Sequence, residues 1–374
     1  MKLLNNGIKI EDIGFGTWYL KGNEGKEVIK NAIKVGYRII DTAQAYNNEE
    51  IVGQAINECI QESIVKRQDL FITSKINPHL PIGYDAAINA VNQSLAKMNL
   101  DYIDLYLIHW PNLVEDDSWK YLNAKTWQGF EKMVTEGKLK SIGVSNFMIH
   151  HLEELLKTAT IKPSINQLNL NPTWQQKEVV KFCHDNNILC EAWAPLVRIK
   201  PWNLKTLETI AKKYKKTIAQ ICLRWCLQKG FIPLTKSHQV EHMIENINIF
   251  NFEIEKEDID YLDELNSHPW DHDSQPDCLY EIFRLREQLT KKEIILNEKF
   301  YFLGIHFANK KILNNKNVYL LFNILPLFSI KKVNETKKYI YLFNLLKIGK
   351  IIKKTKTKYE KFLPTYINQK AKST

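Results

Sequence analysis

Four polar residues of this chain stand at the ends of short apolar segments, and their types suit a site that donates a proton. Asp41 and Tyr46 follow the apolar residues of GYRIIDTAQAYNNEE. Lys75 ends LFITSK, and His109 follows YIDLYLI. When hydride reaches a carbonyl carbon, negative charge develops on the oxygen, and a proton donor within hydrogen-bonding distance must neutralise it. The four residues therefore predict a site that can serve the reduction of a carbonyl group.

The four residue types suit different parts of that chemistry. A free tyrosine, with a pKa of about 10, is a weak acid at neutral pH. An ammonium group at Lys75 would favour the phenolate of Tyr46 and make it a stronger acid. The carboxylate of Asp41 could pair with the lysine and hold it in place, and a neutral imidazole at His109 could orient the substrate oxygen. We therefore predict Tyr46 as the proton donor, with the other three in support.

Each of these residues, taken alone, also has a structural explanation. Asp41 could cap a helix or a loop, and Tyr46 could be a half-buried packing residue. Lys75 could end a strand in solvent, and His109 could be a hydrogen-bonded core histidine. The joint pattern favours the catalytic interpretation, because three consecutive strand-and-helix segments end in the required groups.

Strand-like and helix-like segments alternate along the first 270 or so residues. Short apolar segments with the composition of strands lie at residues 37–40, 70–73, 102–108, 141–144, 165–168, 188–193 and 231–234. Helix-like segments lie at residues 85–98, 126–135, 177–187 and 204–214. The alternation predicts an α/β fold in which a parallel sheet closes into a (β/α)8 TIM barrel. Chemistry in such barrels lies at the carboxyl ends of the strands. The residues predicted there are Asp41, Lys75, His109, Asn146, Gln167 and Trp193.

Eight sequence segments stand in a fixed order between residue 1 and about residue 270. They are GFGTW (14–18), GYRIIDTAQAYNNEEIVG (36–53), LDYIDLYLIHWP (100–111), GKLKSIGVSNF (137–147), INQLNLNP (165–172), EAWAPL (191–196), AQICLRWCLQKG (219–230) and IPLTKS (232–237) with a following EN. In this order they closely resemble the aldo-keto reductase superfamily, in particular its diketogluconate- and aldose-reductase-type members. The resemblance implies a monomeric barrel reductase that uses a nicotinamide cofactor, with Tyr46 as general acid.

The resemblance also implies a cofactor site. Ser145, Asn146 and Gln167 offer hydroxyl and amide groups suited to the carboxamide of nicotinamide. Trp193 offers a flat face for the ring, as the tryptophan of bacterial diketogluconate-type reductases does. The other residues that the resemblance assigns to the cofactor are Gly16, Thr17, Asp41, Leu196, Lys236, Ser237, His242, Glu245 and Asn246.

The phosphate-binding part of this set departs from the family pattern at one position. Lys236 and Ser237 match a phosphate-binding pair that follows a strand, whereas Glu245 and Asn246 match residues that hold the adenine. Relatives that prefer NADPH usually have arginine five residues after that serine, where this chain has His242. Histidine is mostly neutral at pH 7 and lacks the bidentate guanidinium. We therefore predict NADPH as cofactor, with reduced discrimination against NADH.

The substrate pocket is less clearly encoded. Tyr46 and His109 are expected to contact the substrate, with Trp18 and Trp110 as apolar walls. Trp202 could join them or pack at the barrel rim. The loops that select the substrate fall at residues 112–125, at 196–204 and after 265, so any small-molecule aldehyde or ketone, sugar-derived ones included, fits the pattern.

Cysteine usage indicates neither a metal site nor a disulfide framework. The six cysteines are scattered without a C-x-x-C pair, at Cys59, Cys183, Cys190, Cys222, Cys226 and Cys278. Cys222 and Cys226 stand four residues apart, but no further cysteine or histidine is spaced to complete a metal site. Since no secretory segment is recognisable either, we predict a cytoplasmic protein without a metal.

Charge divides the chain into two parts. Residues 281–374 hold 21 Lys and Arg against 6 Asp and Glu, whereas residues 1–280 hold 31 against 36, within a net charge of +10. Turn-forming residues in HPWDHDSQPD mark the change. We predict a barrel domain at residues 1–276 and a basic extension at 277–374, called the tail below.

The tail contains a repeat. YLLFNIL at residues 319–325 recurs 21 residues later as IYLFNLL at 340–346, and YFLGI at 301–305 is a weaker third copy. These segments, which run on into lysines, resemble repeats at the carboxyl ends of some bacterial surface-polysaccharide glycosyltransferases. Three interpretations remain open. The first is attachment to an anionic membrane or to a glycan-assembly partner, and the second is nucleic-acid binding, which lacks a recognition motif. The third is a set of short β-hairpins or a partly ordered extension with a solvated basic face. An alternative function for the barrel is that of a cofactor-binding regulatory or scaffold subunit.

Overall fold

The computed structural model describes residues 1–78, 83–111, 118–196 and 201–266, and five strands between residues 295 and 342. For residues 201–204 and for these five strands it describes the backbone alone. The chain divides into two compact units, Met1–Arg284 and Leu285–Thr374. The predicted boundary at residues 276 and 277 lies outside the described residues and stays a prediction.

The first unit is built on a closed barrel of parallel strands. A short antiparallel hairpin, β1 (Lys2–Leu3) and β2 (Lys9–Ile10), precedes it. The barrel strands are β3 (Gly14–Gly16), β4 (Ile39–Asp41), β5 (Phe71–Ile76), β6 (Ile103–Ile108), β7 (Leu139–Ser145), β8 (Ile165–Asn169), β9 (Leu189–Trp193) and β10 (Ile232–Thr235). They follow one another around the barrel in chain order, and β10 closes it against β3. The predicted (β/α)8 fold is thus confirmed.

Helices occupy most connections between the strands. They are α1 (Gly22–Val35), α2 (Glu49–Gln61), α3 (Tyr84–Met98), α4 (Ser118–Thr135), α5 (Ile149–Leu156), α6 (Lys177–Asp185), α7 (Pro201–Tyr214), α8 (Ile218–Gln228), α9 (Val240–Ile247) and α10 (Lys256–Asp263). Helix α4 begins eight residues before its predicted start, and strand β3 was not predicted as a strand at all.

A cluster of buried apolar side chains lies on the barrel strands and on the hairpin segment that precedes them. Its members are Leu4, Ile10, Ile39, Phe71, Leu105, Leu107, Ile165, Ile232 and Leu234. Alternate residues of each strand point to the same side. Two residues beyond Ile39 and Ile165, on the same strand faces, stand Asp41 and Gln167. The interior therefore changes from apolar to polar towards the carboxyl ends of the strands.

Two glycines allow backbones to approach closely. A Cβ on Gly14 of β3 would lie 2.6 Å from a methyl group of Leu234 and 2.9 Å from Ile39. A Cβ on Gly53 of α2 would overlap the backbone of Met98 at the end of α3. Glycine at these positions therefore sets the spacing of β3 in the barrel and of α2 against α3.

The second unit contains a five-stranded antiparallel sheet in chain order. Its strands are β11 (Ile295–Phe302), β12 (Ile305–Leu313), β13 (Lys316–Leu321), β14 (Leu325–Lys332) and β15 (Lys338–Leu342). Strands β13 and β15 end at equivalent positions of the 21-residue repeat, so the two copies share a backbone conformation up to that point.

Among the described residues, no helix combines the length and the apolar character needed to cross a membrane. The five cysteines within the described ranges are free and buried, and Cys278 lies outside them.

Candidate active site

The ammonium group of Lys75 lies at the centre of the site. It donates hydrogen bonds to both carboxylate oxygens of Asp41, at 2.7 Å each, and to the carbonyl oxygen of Thr42 at 2.8 Å. Lys75 is fully buried on β5, and Asp41 is buried at the end of β4. Burial is the largest single effect and would lower the pKa of Lys75, but the negative charge and hydrogen bonds of Asp41, with smaller contributions from Tyr46 and Glu191, together outweigh it and the pKa is raised. The lysine therefore remains an ammonium ion, paired as a buried charge must be.

Tyr46 closes a short 3-10 helix, Gln44–Tyr46, that follows β4. Its hydroxyl lies 3.5 Å from Nζ of Lys75, which also stands 5.0 Å from the ring centroid. The pKa of Tyr46 is raised, because burial disfavours the phenolate more than Lys75 favours it, and the charge of Asp41 adds to the rise. Lys75 lowers the pKa of Tyr46, as predicted, but the expectation that Tyr46 is a stronger acid than a free tyrosine is wrong. Tyr46 is a neutral phenol at pH 7, which is the protonation state of a donor.

His109 directly follows β6 and completes the predicted quartet. Its imidazole packs edge to face on the ring of Tyr46, with the ring centroids 5.7 Å apart. Its carbonyl oxygen accepts a hydrogen bond from Nδ2 of Asn146 at 3.1 Å. The structure therefore brings together four residues that come from three successive strand ends.

A second group lies at the ends of β7, β8 and β9. Asn146 donates from Nδ2 to Oγ of Ser145 at 3.0 Å, and Ser145 donates to the carbonyl oxygen of Gln167 at 2.9 Å. The indole N–H of Trp193 donates to Oδ1 of Asn146 at 2.9 Å. Gln167 in turn donates to Oδ2 of Asp41 at 2.9 Å, which joins this group to the quartet.

The residues predicted from GFGTW lie at the end of β3 and just after it. Thr17 is buried after β3, and both its backbone N–H and its hydroxyl donate to the carbonyl oxygen of Asp41 at 2.9 Å. Gly16 ends β3, where a Cβ would lie 3.6 Å from the carbonyl oxygen of Thr235. Trp18 is 46% exposed, as a wall of an open pocket could be.

The other predicted pocket residues are only partly described. Trp110 and Leu196 are half-buried, after β6 and β9 respectively. The side chain of Trp202 lies outside the described residues, as do residues 112–117 and 197–200 and those that follow 266 up to the tail strands.

The predicted phosphate and adenine residues occupy another part of the rim, on the β10–α9 loop and on α9. Nζ of Lys236 donates to the carbonyl oxygen of Trp18 at 3.1 Å. The hydroxyl of Ser237 accepts a hydrogen bond from the backbone N–H of Gln239. On α9, His242 is exposed. Of the adenine pair on the same helix, Glu245 accepts a hydrogen bond from Thr217 at 2.6 Å, and Asn246 is buried.

Glu191 of β9 was not predicted as a site residue. It is fully buried, and its Oε2 accepts a hydrogen bond from Nε2 of Gln167 at 2.9 Å. Burial, with the negative charge of Asp41 in second place, raises the pKa of Glu191 to about 8. A signal was present in LCEAW, because a residue two positions before Trp193 shares its side of the strand.

Asn48 was also missed, and it connects two loops of the site. Its Oδ1 accepts from the hydroxyl of Thr42 at 2.7 Å, and its Nδ2 donates to the carbonyl oxygens of Thr17 at 2.8 Å and Leu20 at 3.2 Å. Since the carbonyl oxygen of Thr42 accepts from Lys75, Asn48 supports the lysine indirectly. No pattern in the sequence distinguishes this asparagine from an ordinary turn residue.

Comparison with known proteins shows what this chain is similar to. The Aldo/keto reductase family model matches residues 12–198 and 202–267. Glyoxal reductase of Bacillus subtilis is 46% identical over 264 residues, which are 70% of this chain and 91% of that protein. The 9,11-endoperoxide prostaglandin H2 reductase of Trypanosoma cruzi is 38% identical over 267 residues, 70% of this chain and 90% of that protein.

Solved structures agree. An aldo-keto reductase from a Medee basin deep-sea metagenome library superimposes with a TM-score of 0.66 at 38% identity, covering 71% of this chain and 95% of that one. A Bombyx mori aldo-keto reductase in complex with NADP gives a TM-score of 0.66 at 33% identity, covering 73% of this chain and 95% of that one.

Proposed function

The chain belongs to the aldo/keto reductase family of oxidoreductases, and we propose on this premise that it reduces an aldehyde or ketone to an alcohol with hydride from NADPH. The observation that carries the proposal is the contact of the neutral Tyr46 phenol with a buried, carboxylate-paired Lys75. A regulatory barrel would have no need of this costly arrangement, because burying an ion pair stabilises a fold little or not at all.

The proposed mechanism assigns one role to each residue of the quartet. A reduced nicotinamide, when bound, supplies the hydride that the carbonyl carbon accepts. Tyr46 gives its phenolic proton to the carbonyl oxygen as negative charge develops there, and water then returns a proton to the phenolate. Lys75 stabilises that phenolate, Asp41 holds Lys75, and His109 orients the substrate oxygen.

The residues beside the quartet fit a nicotinamide ring with its carboxamide. Ser145, Asn146 and Gln167 supply hydroxyl and amide groups within one hydrogen-bonded group, and Trp193 supplies an aromatic face whose position is fixed by its bond to Asn146. Such a combination of an apolar face and a few convergent polar groups is typical of cofactor sites. The fit supports a nicotinamide cofactor.

The preference for the phosphorylated cofactor rests on the second part of the rim. Lys236 and Ser237 would hold the 2′-phosphate, and Glu245 with Asn246 the adenine. We propose that His242, exposed on α9, weakens the discrimination against NADH, because imidazole lacks the charge and the bidentate geometry of arginine. Measuring kcat/KM with both cofactors tests this point. A preference for NADPH unchanged by His242→Arg would contradict it.

Small aldehydes are the substrate class that we propose first. The relative named glyoxal reductase shares 46% of its residues with this chain over the barrel. Trp18 and Trp110 would form the pocket walls, with sugar-derived carbonyls as the second class. Purified protein should oxidise NADPH in the presence of glyoxal, methylglyoxal, aldoses, ketoses or sugar-nucleotide carbonyls. The absorbance of the cofactor measures this oxidation. If no carbonyl in this series accelerated NADPH oxidation above the rate without substrate, the proposed function would be wrong.

For its partners and location, we propose a barrel that acts as a cytoplasmic monomer on a small-molecule carbonyl. We also keep the proposal that the tail contacts an anionic membrane surface, with a glycan-assembly partner as the alternative. Its support is the composition of the tail, 21 basic against 6 acidic residues at 281–374 with aromatic and aliphatic repeats.

A further inference from the structure

Glu191 and Gln167 form an unusual pair inside the barrel. They are register partners on the adjacent parallel strands β8 and β9, and both side chains are buried. Nε2 of Gln167 donates one hydrogen to Oδ2 of Asp41 and the other to Oε2 of Glu191, each at 2.9 Å. Two carboxyl groups, one from β4 and one from β9, thus converge on one amide nitrogen.

This arrangement leaves the amide of Gln167 one orientation. Asp41 is paired with Lys75 through both oxygens, so it is an ionised acceptor that no carbonyl oxygen can face without repulsion. The nitrogen end of the amide must therefore point at Asp41, and its second hydrogen then meets Glu191. Because both N–H groups are committed, the side chain can offer a ligand only its acceptor, Oε1.

We propose that Glu191 is a positioning residue that, with Asp41, fixes the amide of Gln167 so that Oε1 accepts a hydrogen bond from the carboxamide N–H of a bound nicotinamide. The inference rests on the proposed cofactor. Without Glu191 the second N–H would lose its buried partner, and the terminal torsion of a glutamine, which has a broad energy profile, would be held at one end only.

The position of Glu191 suits this task better than a direct role in the reaction. Gln167 lies between it and Asp41, and the charged groups that act on Glu191 are Asp41 and Lys75, from β4 and β5. Its Oε2 can accept the hydrogen bond whether the carboxyl is protonated or ionised, so the orientation of Gln167 does not depend on that proton.

Two substitutions separate positioning from packing. Glu191→Met keeps the length of the side chain but removes the acceptor, whereas Glu191→Gln, the matched control, keeps an oxygen for Gln167. Dissociation constants are measured by calorimetry for NADP⁺ and for its 3-acetylpyridine analogue, whose acetyl group has no N–H. We expect Glu191→Met to weaken NADP⁺ binding about tenfold, or ~1.4 kcal/mol. Binding of the analogue should weaken by less than about twofold. Glu191→Gln should bind NADP⁺ as the wild type does.

Equal weakening of both ligands would show a merely structural role and overturn the inference, as would no weakening of either. If Glu191→Met does not fold, Glu191→Leu, which also lacks an acceptor for Gln167, replaces it with the same expected results. Equal affinities of the wild type for NADP⁺ and the analogue, where about tenfold in favour of NADP⁺ is expected, would also overturn the inference. A wild type that binds neither ligand would overturn the proposed function itself and the inference with it, whereas the other negative results leave the proposed function standing.

Discussion

At the scale of single residues, the site depends on the ion pair of Lys75 with Asp41. Both residues could be predicted from the sequence, because each stands near the end of a recognisable apolar strand. The pKa of Tyr46 could not, since its rise comes first from burial by residues distant in the chain. Glu191 was missed for a related reason. It lies within a strand segment, and its hydrogen-bond partner Gln167 lies on a different strand.

Substituting one partner of the buried ion pair should destabilise the fold more than substituting both. Lys75→Met leaves the carboxylate of Asp41 buried without its partner, so we expect the free energy of unfolding to fall by about 3–5 kcal/mol. Adding Asp41→Asn removes the orphaned charge and should recover part of that loss. Urea unfolding of the wild type, both single variants and the double variant measures the coupling. Additive losses would mean that the two side chains do not interact in the folded state.

The protonated Glu191 should make stability depend on pH. Its pKa is about 8 when folded, against an ordinary value of 4.5, so the folded state holds one proton more between these values. Its contribution is complete below pH 4.5 and is lost as pH rises through 8, by at most ~1.4 kcal/mol per pH unit. Glu191→Gln should therefore gain stability relative to the wild type between about pH 5 and pH 9. Urea titrations across this pH range measure the difference in free energy of unfolding between Glu191→Gln and the wild type. A difference that stays constant with pH would contradict the raised pKa.

At the scale of elements, the alternation of strands and helices was sufficient to predict the barrel but not every strand. Strand β3 escaped prediction because two of its three residues are glycine, which disfavours strands. The structure explains Gly14, since a Cβ there would collide with Leu234. The start of α4 at Ser118 was missed because the residues before Thr126 lack a clear apolar period. The pairing of Glu191 with Gln167 follows from the register of β8 and β9.

The close approach of α2 to α3 gives a test at this scale. Gly53→Ala places a Cβ within the backbone of Met98, and the helices must move apart, which we expect to cost about 1–3 kcal/mol although alanine favours helices. Gln54→Ala, at the next and exposed position of α2, is the control and should change stability by less than about 0.5 kcal/mol. Thermal or urea unfolding compares the two, and equal effects would refute the packing argument.

At the scale of the whole molecule, composition indicated two parts, and the chain divides into two compact units. The family match covers residues 12–198 and 202–267 and so concerns the barrel. Charge and repeats alone cannot specify what the tail binds, because several partners attract a basic, aromatic-rich surface. The structure shows that β11 to β15 form an antiparallel sheet, but the sheet does not identify a ligand.

Membrane attachment by the tail can be tested by flotation. With vesicles that contain anionic lipid, we expect the full chain to float and a chain ending at Gln275 to remain in the dense fractions. Raised salt should release the full chain, because screening weakens attraction between basic residues and the surface. Vesicles of neutral lipid are the control. Equal recovery of both chains with anionic vesicles would count against the proposal.

The central claim is that Tyr46 donates the proton, and the most direct measurement is kcat for glyoxal reduction by NADPH in Tyr46→Phe. We expect kcat to fall by about 10²–10⁴-fold, while NADP⁺ affinity stays near that of the wild type. Tyr261→Phe, an exposed tyrosine on α10, is the matched control and should keep full activity. Tyr46→Phe with a wild-type kcat would contradict the account.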